Sequence, residues 1–275
     1  MDLKDLLVIL DAGSNCNGRL DLGAAVAKRH TAALTAYCLY REPAVTTAES
    51  YAAGRDATRA VLAHRDARVA LAVAPVAARF HEIVDVNAVE GSWTLPTFDQ
   101  SPQDLALRAR AFDLVIVDRD AKSHALAEQI VLIGGTPCLT VGEGQPSPAS
   151  FDRVVVAWDG SRPSKRALQD GLPFLKQAKA VRMVTVGREN DDLPPHLGQL
   201  EMLRHLSRHG IEAAFERVEA GDLDIGAALL REAKLFHADL LVLGAYGHAP
   251  MAEALFGGVT RTVLARAPLP VLISH

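Results

Sequence analysis

Several features that mark whole classes of protein are scarce in this sequence of 275 residues. No uninterrupted apolar run reaches the roughly 18–20 residues that a transmembrane helix needs, which predicts no membrane partner. The three cysteines (Cys16, Cys38 and Cys138) are too few and too widely spaced for a disulfide framework or a CxxC redox motif. The net charge of −4 is spread along the chain, so no basic footprint for nucleic acid is present.

The first residues, MDLKDLLVILD, carry acidic side chains where a secretory signal peptide is basic, and no cleavage site follows them. Since the cysteine count also argues against an oxidising compartment, we expect a cytoplasmic protein. The apolar content of 49% is sufficient for one large domain or two ordinary ones.

An internal repeat is the strongest organising feature of the chain. The segment LLVILDAGS (6–14) resembles RVVVAWDGS (153–161), which places Asp11 and Asp159 in equivalent positions. The end of each copy repeats as well: FDLVIVDRD and TPCLTV in the first copy match ADLLVLGAY and LPVLIS in the second. The Gly-, Pro- and Ser-rich stretch 142–150 between them is typical of a linker. The sequence therefore predicts two copies of one unit, over 1–141 and 151–275.

Each copy alternates short apolar strands with amphipathic segments, which predicts right-handed crossovers and a mostly parallel, doubly wound α/β sheet. In the second copy we expect a helix near 162–177, with Ser161 or Ser164 as its N-cap. A further helix over 222–236 opens at Asp222 and places Ile225, Ala228, Leu229 and Leu235 on one apolar face. Ligands of such sheets bind at the carboxyl ends of the strands.

A glycine-rich loop follows the apolar run ADLLVL in the second copy. The spacing is Gly244-x2-Gly247-x9-Gly257-Gly258, and the pattern after it predicts a helix that begins near residue 258. Glycine lets the backbone approach a ligand closely, and a helix N-terminus offers free N–H groups to a phosphate. The spacing is neither GxGxxG nor a Walker loop. By itself, the pattern is also compatible with a plain connecting loop.

The aspartate after the first strand, together with Gly-x2-Gly-x9-Gly before the last helix, resembles the universal stress protein family over nearly the whole chain. The resemblance implies a Rossmann-like, five-stranded parallel sheet in each copy. It also implies ATP or AMP, with or without Mg²⁺, bound along the strand ends. The residues that the resemblance places around the nucleotide are Asp159, Val186, Gly187, Gly244, Gly247, His248, Gly257, Gly258, Val259 and Thr260.

Two departures from the family pattern bear on this expectation. Gly258 stands where the family has a hydroxyl residue, which removes one donor to phosphate, although Thr260 offers a hydroxyl nearby. In the first copy, 23 residues separate Asp113 from Pro137, whereas 30 separate the equivalent residues of the second copy. The missing part falls in the glycine loop, and Asp118 replaces Gly244. Since a carboxylate repels phosphate, we predict that the first copy has lost the site and serves as a structural partner.

Other polar residues admit both functional and structural interpretations. His205 and His209 have the helical spacing of two metal ligands, but no third ligand is evident and a solvated helix face is the commoner case. His248 and Arg261 could each contact phosphate or lie on the surface. Asp11 and Asp159 lack the acidic cluster and partner lysine of a phospho-accepting receiver domain. We therefore predict no metal site and no catalytic residue.

Three functions follow from these observations. The first is a nucleotide-binding regulatory protein of the stress-response type, which would act on an unidentified protein partner. The second is a slow Mg²⁺-dependent ATPase centred on Asp159, and the third is an interaction scaffold whose nucleotide site has lapsed. The short apolar strands that close the two copies further predict an intramolecular pseudo-dimer, because they would otherwise be exposed edges. Dimerisation of whole chains through other surfaces is left open.

Overall fold

A computed structural model gives the fold of the chain. It describes residues 2–12, 15–40, 55–95, 101–119, 121–142, 150–187, 198–245 and 258–275. The elements of the first half are β1 (Asp5–Asp11), α1 (Asn17–His30), β2 (Ala33–Leu39), α2 (Arg55–Asn87), β3 (Gly91–Thr94), α3 (Pro102–Ala109), β4 (Leu114–Asp118), α4 (Ala121–Gln129) with a π-helical turn over Ile130–Gly134, and β5 (Cys138–Val141).

The second half repeats this order without a helix as long as α2. Its elements are β6 (Arg153–Ala157), α5 (Arg162–Leu175), β7 (Ala180–Gly187), α6 (Gln199–Arg208), β8 (Ala213–Glu219), α7 (Ile225–Leu235), β9 (Leu240–Gly244), α8 (Gly258–Arg266) and β10 (Val271–Ser274). Among the described helices, none is both long enough and apolar enough to cross a bilayer.

The strands form one sheet in the order β3-β2-β1-β4-β5-β10-β9-β6-β7-β8. Neighbouring strands are parallel within each half, and β5 pairs with β10 antiparallel where the halves meet. The predicted mostly parallel α/β fold is confirmed. The expected pairing of the two closing strands within one chain is also present, with Leu139 opposite Leu272.

Helices cover both faces of the sheet, which explains why its central strands are apolar without alternation. Side chains of α1, α2, α5 and α6 pack against one face. Those of α3, α4, α7 and α8 pack against the other. Cys38 and Cys138 are buried on strands, and burial raises the pKa of the Cys138 thiol.

Equivalent hydrogen bonds occur at matching places in the two halves. Asp113 lies just before β4, and its Oδ2 accepts two consecutive backbone N–H groups at the start of β1, at 2.7 and 3.0 Å. Asp239 lies just before β9 and accepts the corresponding N–H groups at the start of β6, at 2.8–3.1 Å. The strand registers show the same offset, since Leu6 pairs with Leu114 and Val154 pairs with Leu240.

The helix boundaries of the second half decide between the two predicted N-caps of α5 and correct two expectations for α7. Ser161 is the N-cap of α5, because its hydroxyl accepts the N–H of Ser164 at 3.3 Å. Helix α7 begins later than expected: Asp224, and not Asp222, caps it by accepting the N–H of Ala227 at 3.0 Å. Leu235, expected on the apolar face of this helix, is 66% exposed.

Candidate functional site

The candidate site lies where the strand order of the second half reverses. Strand β6 has β7 on one side and β9 on the other, and the chain leaves these two central strands toward opposite faces of the sheet. Helix α5 follows β6, and helix α8 lies between β9 and β10. A crevice therefore opens at the carboxyl ends of β6 and β9, which is the usual ligand position in such folds.

Gly244, the last residue of β9, lies against the first turn of α5. A Cβ atom at this position would come within 2.3 Å of the Ser164 nitrogen and 2.4 Å of the Pro163 carbonyl carbon. Only glycine therefore fits beneath this helix start, because the obstructing atoms are backbone. The structure thus gives a packing reason for Gly244, while its predicted contact with nucleotide stays a prediction.

Asp159 lies on the loop between β6 and α5 and is exposed. Its Oδ1 accepts the backbone N–H of Ser161 at 2.9 Å. The hydroxyl of Ser164 donates to the Ser161 carbonyl at 2.9 Å. Side chains at the start of α5 thus form hydrogen bonds to the backbone groups of the same turn. Asp159 lies at the rim of the crevice, and its carboxylate is accessible.

Helix α8 begins at Gly258, as expected from the sequence. Among the described residues, no atom lies within 4 Å of a Cβ atom added at Gly258, and Gly258 is exposed. The next residue, Val259, packs partly against the core, and Thr260 is only 3% exposed. The first turn of α8 therefore presents Gly258 to solvent, whereas Thr260 lies on the buried side of the turn.

Val186 and Gly187 end the neighbouring strand β7 and pair with Val218 and Glu219 of β8. The carbonyl of Gly187 accepts the N–H of Ala220 at 2.9 Å. Gly187 is buried and Val186 is half-buried, so the backbone here lies at the edge of the same crevice. The three remaining predicted site residues, Gly247, His248 and Gly257, lie outside the described residues.

The equivalent crevice of the first half is filled by an ion pair. Arg19 is the third residue of α1, as Ser164 is of α5, and it is 4% exposed. Its guanidinium contacts the carboxylates of Asp11 and Asp118, each at 3.2 Å, and donates to the Ile9 carbonyl at 2.7 Å. Arginine thus occupies the position of Ser164, and aspartate the position of Gly244.

Arg119 connects this ion pair to the second half. Its N–H donates to Asp118 Oδ1 at 2.7 Å, and its guanidinium donates to the carbonyls of Ala267 and, at 2.6 Å, Leu269. Both acceptors lie between α8 and β10. Burial lowers the pKa of Arg119 to about 10, against the opposing effect of the Asp118 carboxylate.

The sequence analysis did not single out Arg19 or Arg119. A signal was nevertheless present, because Arg19 stands where the second copy has Ser164, and Asp118 stands where it has Gly244. The paired change from serine and glycine to arginine and aspartate can be recognised only when α1 is aligned with α5 and β4 with β9. The sequence comparison detected the aspartate but not its partner.

His205 and His209 are close on α6, with ring centroids 4.7 Å apart. The Nε2 atom of His205 lies 2.9 Å from Gln169 Nε2 and 3.4 Å from Lys165 Nζ on α5. Partial burial and the neighbouring Lys165 cation lower the pKa of His205. Over the part of the chain that the structure describes, no three metal-binding side chains cluster.

Comparison with known proteins places these features in a family. The model of the Universal stress protein family matches residues 150–275. Universal stress protein Slr1230 of Synechocystis sp. is 26% identical over 231 residues, which span 78% of this chain and 74% of that protein.

Solved structures with the same fold match nearly the whole chain. A universal stress protein from Archaeoglobus fulgidus DSM 4304 has a TM-score of 0.70 at 16% identity, and the match covers 98% of this chain and 95% of that chain. A functionally unknown protein, PA1789 from Pseudomonas aeruginosa PAO1, has a TM-score of 0.61 at 13% identity, over 99% and 92% of the two chains. The ten-stranded arrangement of both halves is therefore shared by other chains of similar length.

Proposed function

The chain belongs to the universal stress protein family, and from this premise we propose that it is a regulatory protein whose second half binds ATP or AMP. The observation that carries the proposal is the contrast between the two crevices. Where the first half has a buried Arg19–Asp118 ion pair, the second half has Ser164 and Gly244. The small residues leave the strand ends of the second half unblocked by side chains from these two positions.

The first turn of α8 is the proposed phosphate contact. Its N–H groups and the positive end of the helix dipole favour an anion, and the Gly258 position adds no side chain between them and solvent. Asp159 carries a negative charge on the opposite rim, so we place a ribose hydroxyl or a Mg²⁺ ion near it rather than a phosphate. The adenine edge would meet the backbone of Val186 and Gly187.

The first half is proposed to be a structural partner in a pseudo-dimer. In this proposal the domains are 1–141 and 151–275 with a linker over 142–150, and the protein is cytoplasmic. The antiparallel β5–β10 pair and the Arg119 contacts hold the halves together. A regulatory protein partner remains part of the proposal.

Calorimetric titration with nucleotide also distinguishes two other functions, an interaction scaffold and a slow ATPase. An interaction scaffold is favoured by Gly258, because the family hydroxyl is absent and its loss weakens phosphate binding by up to about tenfold. A slow ATPase is favoured by the accessible carboxylate of Asp159. Mg²⁺-dependent hydrolysis that disappears in Asp159→Ala would support the ATPase.

Variants at Gly258 test the proposal with little disturbance of packing, because Gly258 is exposed and a Cβ atom there would meet none of the described atoms within 4 Å. Calorimetric titration of the full chain with ATP and AMP, with and without Mg²⁺, is expected to show one site. Gly258→Asp should abolish binding by repelling phosphate, although an acidic residue in a first helical turn does not harm the helix. The uncharged Gly258→Asn variant is the matched control.

Gly258→Ser provides the opposite change. It restores the hydroxyl that the family carries at this position, and we expect binding to tighten by up to about tenfold. Equal affinities for wild type, Gly258→Asp and Gly258→Ser would mean that phosphate does not contact this turn. Absence of binding in the wild type and in Gly258→Ser, with both folded, would leave the scaffold as the function.

A further inference from the structure

A cavity of about 530 Å³ lies in the first half, on the sheet face that α3 covers only in part. Its floor comes from β1, β2 and β3, through Leu7, Thr35, Tyr37 and Thr94. Its wall is formed by α3 and the residues that follow it, as far as Phe112. This volume lies within the usual range of small-molecule sites, about 300–1,000 Å³. The cavity is separate from the crevice at the strand ends.

In the second half, charged and aromatic side chains lie at the equivalent place on the sheet face. Arg182 on β7 forms an ion pair with Glu216 on β8 at 2.7 Å, and its guanidinium lies 4.3 Å from the centroid of the Phe236 ring. The Arg153 guanidinium lies 4.3 Å from the same ring centroid. These side chains form a stack on the face of the sheet.

The strand registers identify the residues that replace this stack in the first half. Thr35 lies opposite Leu7 as Arg182 lies opposite Val155, and Thr94 lies opposite Tyr37 as Glu216 lies opposite Val184. Thr35 and Thr94 thus stand where the second half has an arginine and a glutamate.

The aromatic member of the stack is replaced as well. Phe236 precedes Asp239 by three positions, and Arg110 precedes Asp113, the equivalent of Asp239, by the same distance. All three replacements, Thr35, Thr94 and Arg110, line the cavity.

The helix that covers this face of the sheet also differs between the halves, and the difference leaves more space in the first half. In the second half, α7 packs against β7 and α8. In the first half, α3 is three residues shorter than α7, with 8 residues against 11, and packs chiefly against α4 and the π-helical turn. The cavity is therefore a consequence of both the shorter helix and the replaced stack.

The lining combines apolar walls with positive charge. Leu7, Leu105 and Phe112 contribute apolar surface, and Leu107 lies at the opening with 44% of its surface exposed. Arg108 and Arg110 contribute guanidinium groups, and Arg110 also donates to the Ile133 carbonyl at 2.7 Å. Of the described residues that line the cavity, none has a carboxylate.

One acidic residue lies near this opening. Asp104, on the first turn of α3, uses its carboxylate to accept the N–H and hydroxyl of Ser101, and its pKa is lowered first by these hydrogen bonds and only then by Arg108. A lowered pKa keeps Asp104 ionised, so its charge offsets part of that of Arg108, and the two guanidinium groups still leave this end of the cavity with a net positive charge. Apolar walls and guanidinium groups at the opening match a ligand with an apolar body and one anionic end.

We propose that this cavity binds a medium-chain fatty acid, with the alkyl chain against the sheet and the carboxylate at Arg108 and Arg110. The proposal is independent of nucleotide binding, because the two sites share no residue. Since each methylene that enters the cavity contributes the transfer free energy of one buried CH₂, affinity should rise about threefold to fourfold per methylene until the space is filled.

The test uses calorimetric titration of the full chain with octanoate, decanoate and dodecanoate below their micelle-forming concentrations. We expect one site per chain and affinity that increases along the series. Dodecyltrimethylammonium, which has the same alkyl length and the opposite charge, should bind at least tenfold more weakly. Equal binding of the two dodecyl probes, or no saturable binding of dodecanoate, would overturn the proposal.

A variant that carries Thr35→Arg, Thr94→Glu and Arg110→Phe fills the cavity with the side chains that the second half uses. Dodecanoate binding should fall at least tenfold, while nucleotide binding should be the same as in the wild type. Unchanged dodecanoate affinity in the folded variant would place the fatty acid elsewhere.

A single substitution keeps the test decisive if the triple variant fails to fold. Arg108→Gln should weaken dodecanoate several-fold and leave the binding of dodecanol unchanged, since only the carboxylate contact is lost. Arg208→Gln, an exposed residue on α6, is the matched control for the loss of one positive charge. Equal effects of the two arginine substitutions would contradict a carboxylate contact at Arg108.

Discussion

The two halves of this chain share a strand order and a set of backbone contacts, yet their side chains differ at two equivalent places. At the strand ends, the first half buries an ion pair and the second half has glycine and serine. On the sheet face, the first half has a cavity and the second half has a stacked ion pair. A repeated fold therefore does not imply a repeated site, because a few side chains decide whether each space is filled.

The largest expected effect comes from breaking the ion pair of the first half. Arg19→Met leaves the buried carboxylate of Asp118 without its guanidinium partner, so we expect a loss of about 3–5 kcal/mol in the free energy of unfolding. Urea denaturation measures this loss. The double variant Arg19→Ser with Asp118→Gly copies the second half and should be less destabilised than Arg19→Met, because the buried carboxylate is removed together with its partner, whereas Asp11, the other carboxylate that contacts Arg19, is partly exposed.

Arg79→Met is the control for this comparison. Arg79 forms ion pairs with Asp21 and Glu82 on the surface, and its loss should cost less than about 1 kcal/mol. If Arg79→Met and Arg19→Met were equally destabilising, the ion pair in the crevice would have no special role in the first half.

Two glycines of the proposed nucleotide site should respond in opposite ways. Gly244→Ala forces a Cβ atom against the backbone of α5 and should cost about 1–3 kcal/mol or more in the free energy of unfolding. Gly258→Ala places a Cβ atom at an exposed position of α8, more than 4 Å from every described atom, and should be neutral or stabilising by up to about 1 kcal/mol. Thermal unfolding of the two variants compares them directly, and similar melting temperatures would contradict the close contact at Gly244.

The connection between the halves is tested by Arg119→Met. This variant leaves the carbonyls of Ala267 and Leu269 without their donor, and we expect a loss of about 1–3 kcal/mol in stability. Arg261→Met, an exposed substitution on α8, is the control. Hydrogen exchange should show faster opening of β10 in Arg119→Met only; uniform protection would argue against this link.

The smallest effect concerns pH. His30 ends α1 as Leu175 ends α5, and its ring packs edge-on against Phe174 in the other half, with centroids 5.6 Å apart. Burial, and after it the Arg29 cation, lowers the pKa of His30 below 6.5. The unfolded chain therefore binds the proton more readily, and stability is lost as the pH falls below about 6.5.

His30→Leu copies the second half and should reduce this loss. Melting temperatures measured from pH 7.5 to 5.5 should fall less steeply in His30→Leu than in the wild type. Parallel curves for the two proteins would mean that another group causes the dependence on pH.

Much of the fold could be predicted from residue patterns, because strand periodicity and helix capping are local. A cap at Ser161 or Ser164, a helix that starts near residue 258 and the pairing of the closing strands were all expected. The start of α7 was placed two residues early, since Asp222 and Asp224 are both good N-cap residues and only the backbone geometry distinguishes them.

The candidate site was predictable only in part. The loss of the glycine loop in the first half and the substitution at Asp118 are visible in the sequence. The partner of Asp118 is 99 positions away in the chain (118 minus 19), and no local pattern connects Arg19 to it. The exposure of Leu235 could not be predicted for a similar reason. Helical periodicity identifies an apolar face but not where the neighbouring elements end.

By itself, the amino-acid sequence determined the repeat, the alternation of strands and helices, and the glycine spacing that resembles the family, since each depends on residues close together in the chain. Only the tertiary structure decided which crevice is filled, why Gly244 must be glycine, and where the replaced stack leaves a cavity. These features depend on side chains that meet across different elements, and their energies arise from burial and charge pairing that exist only in the folded chain.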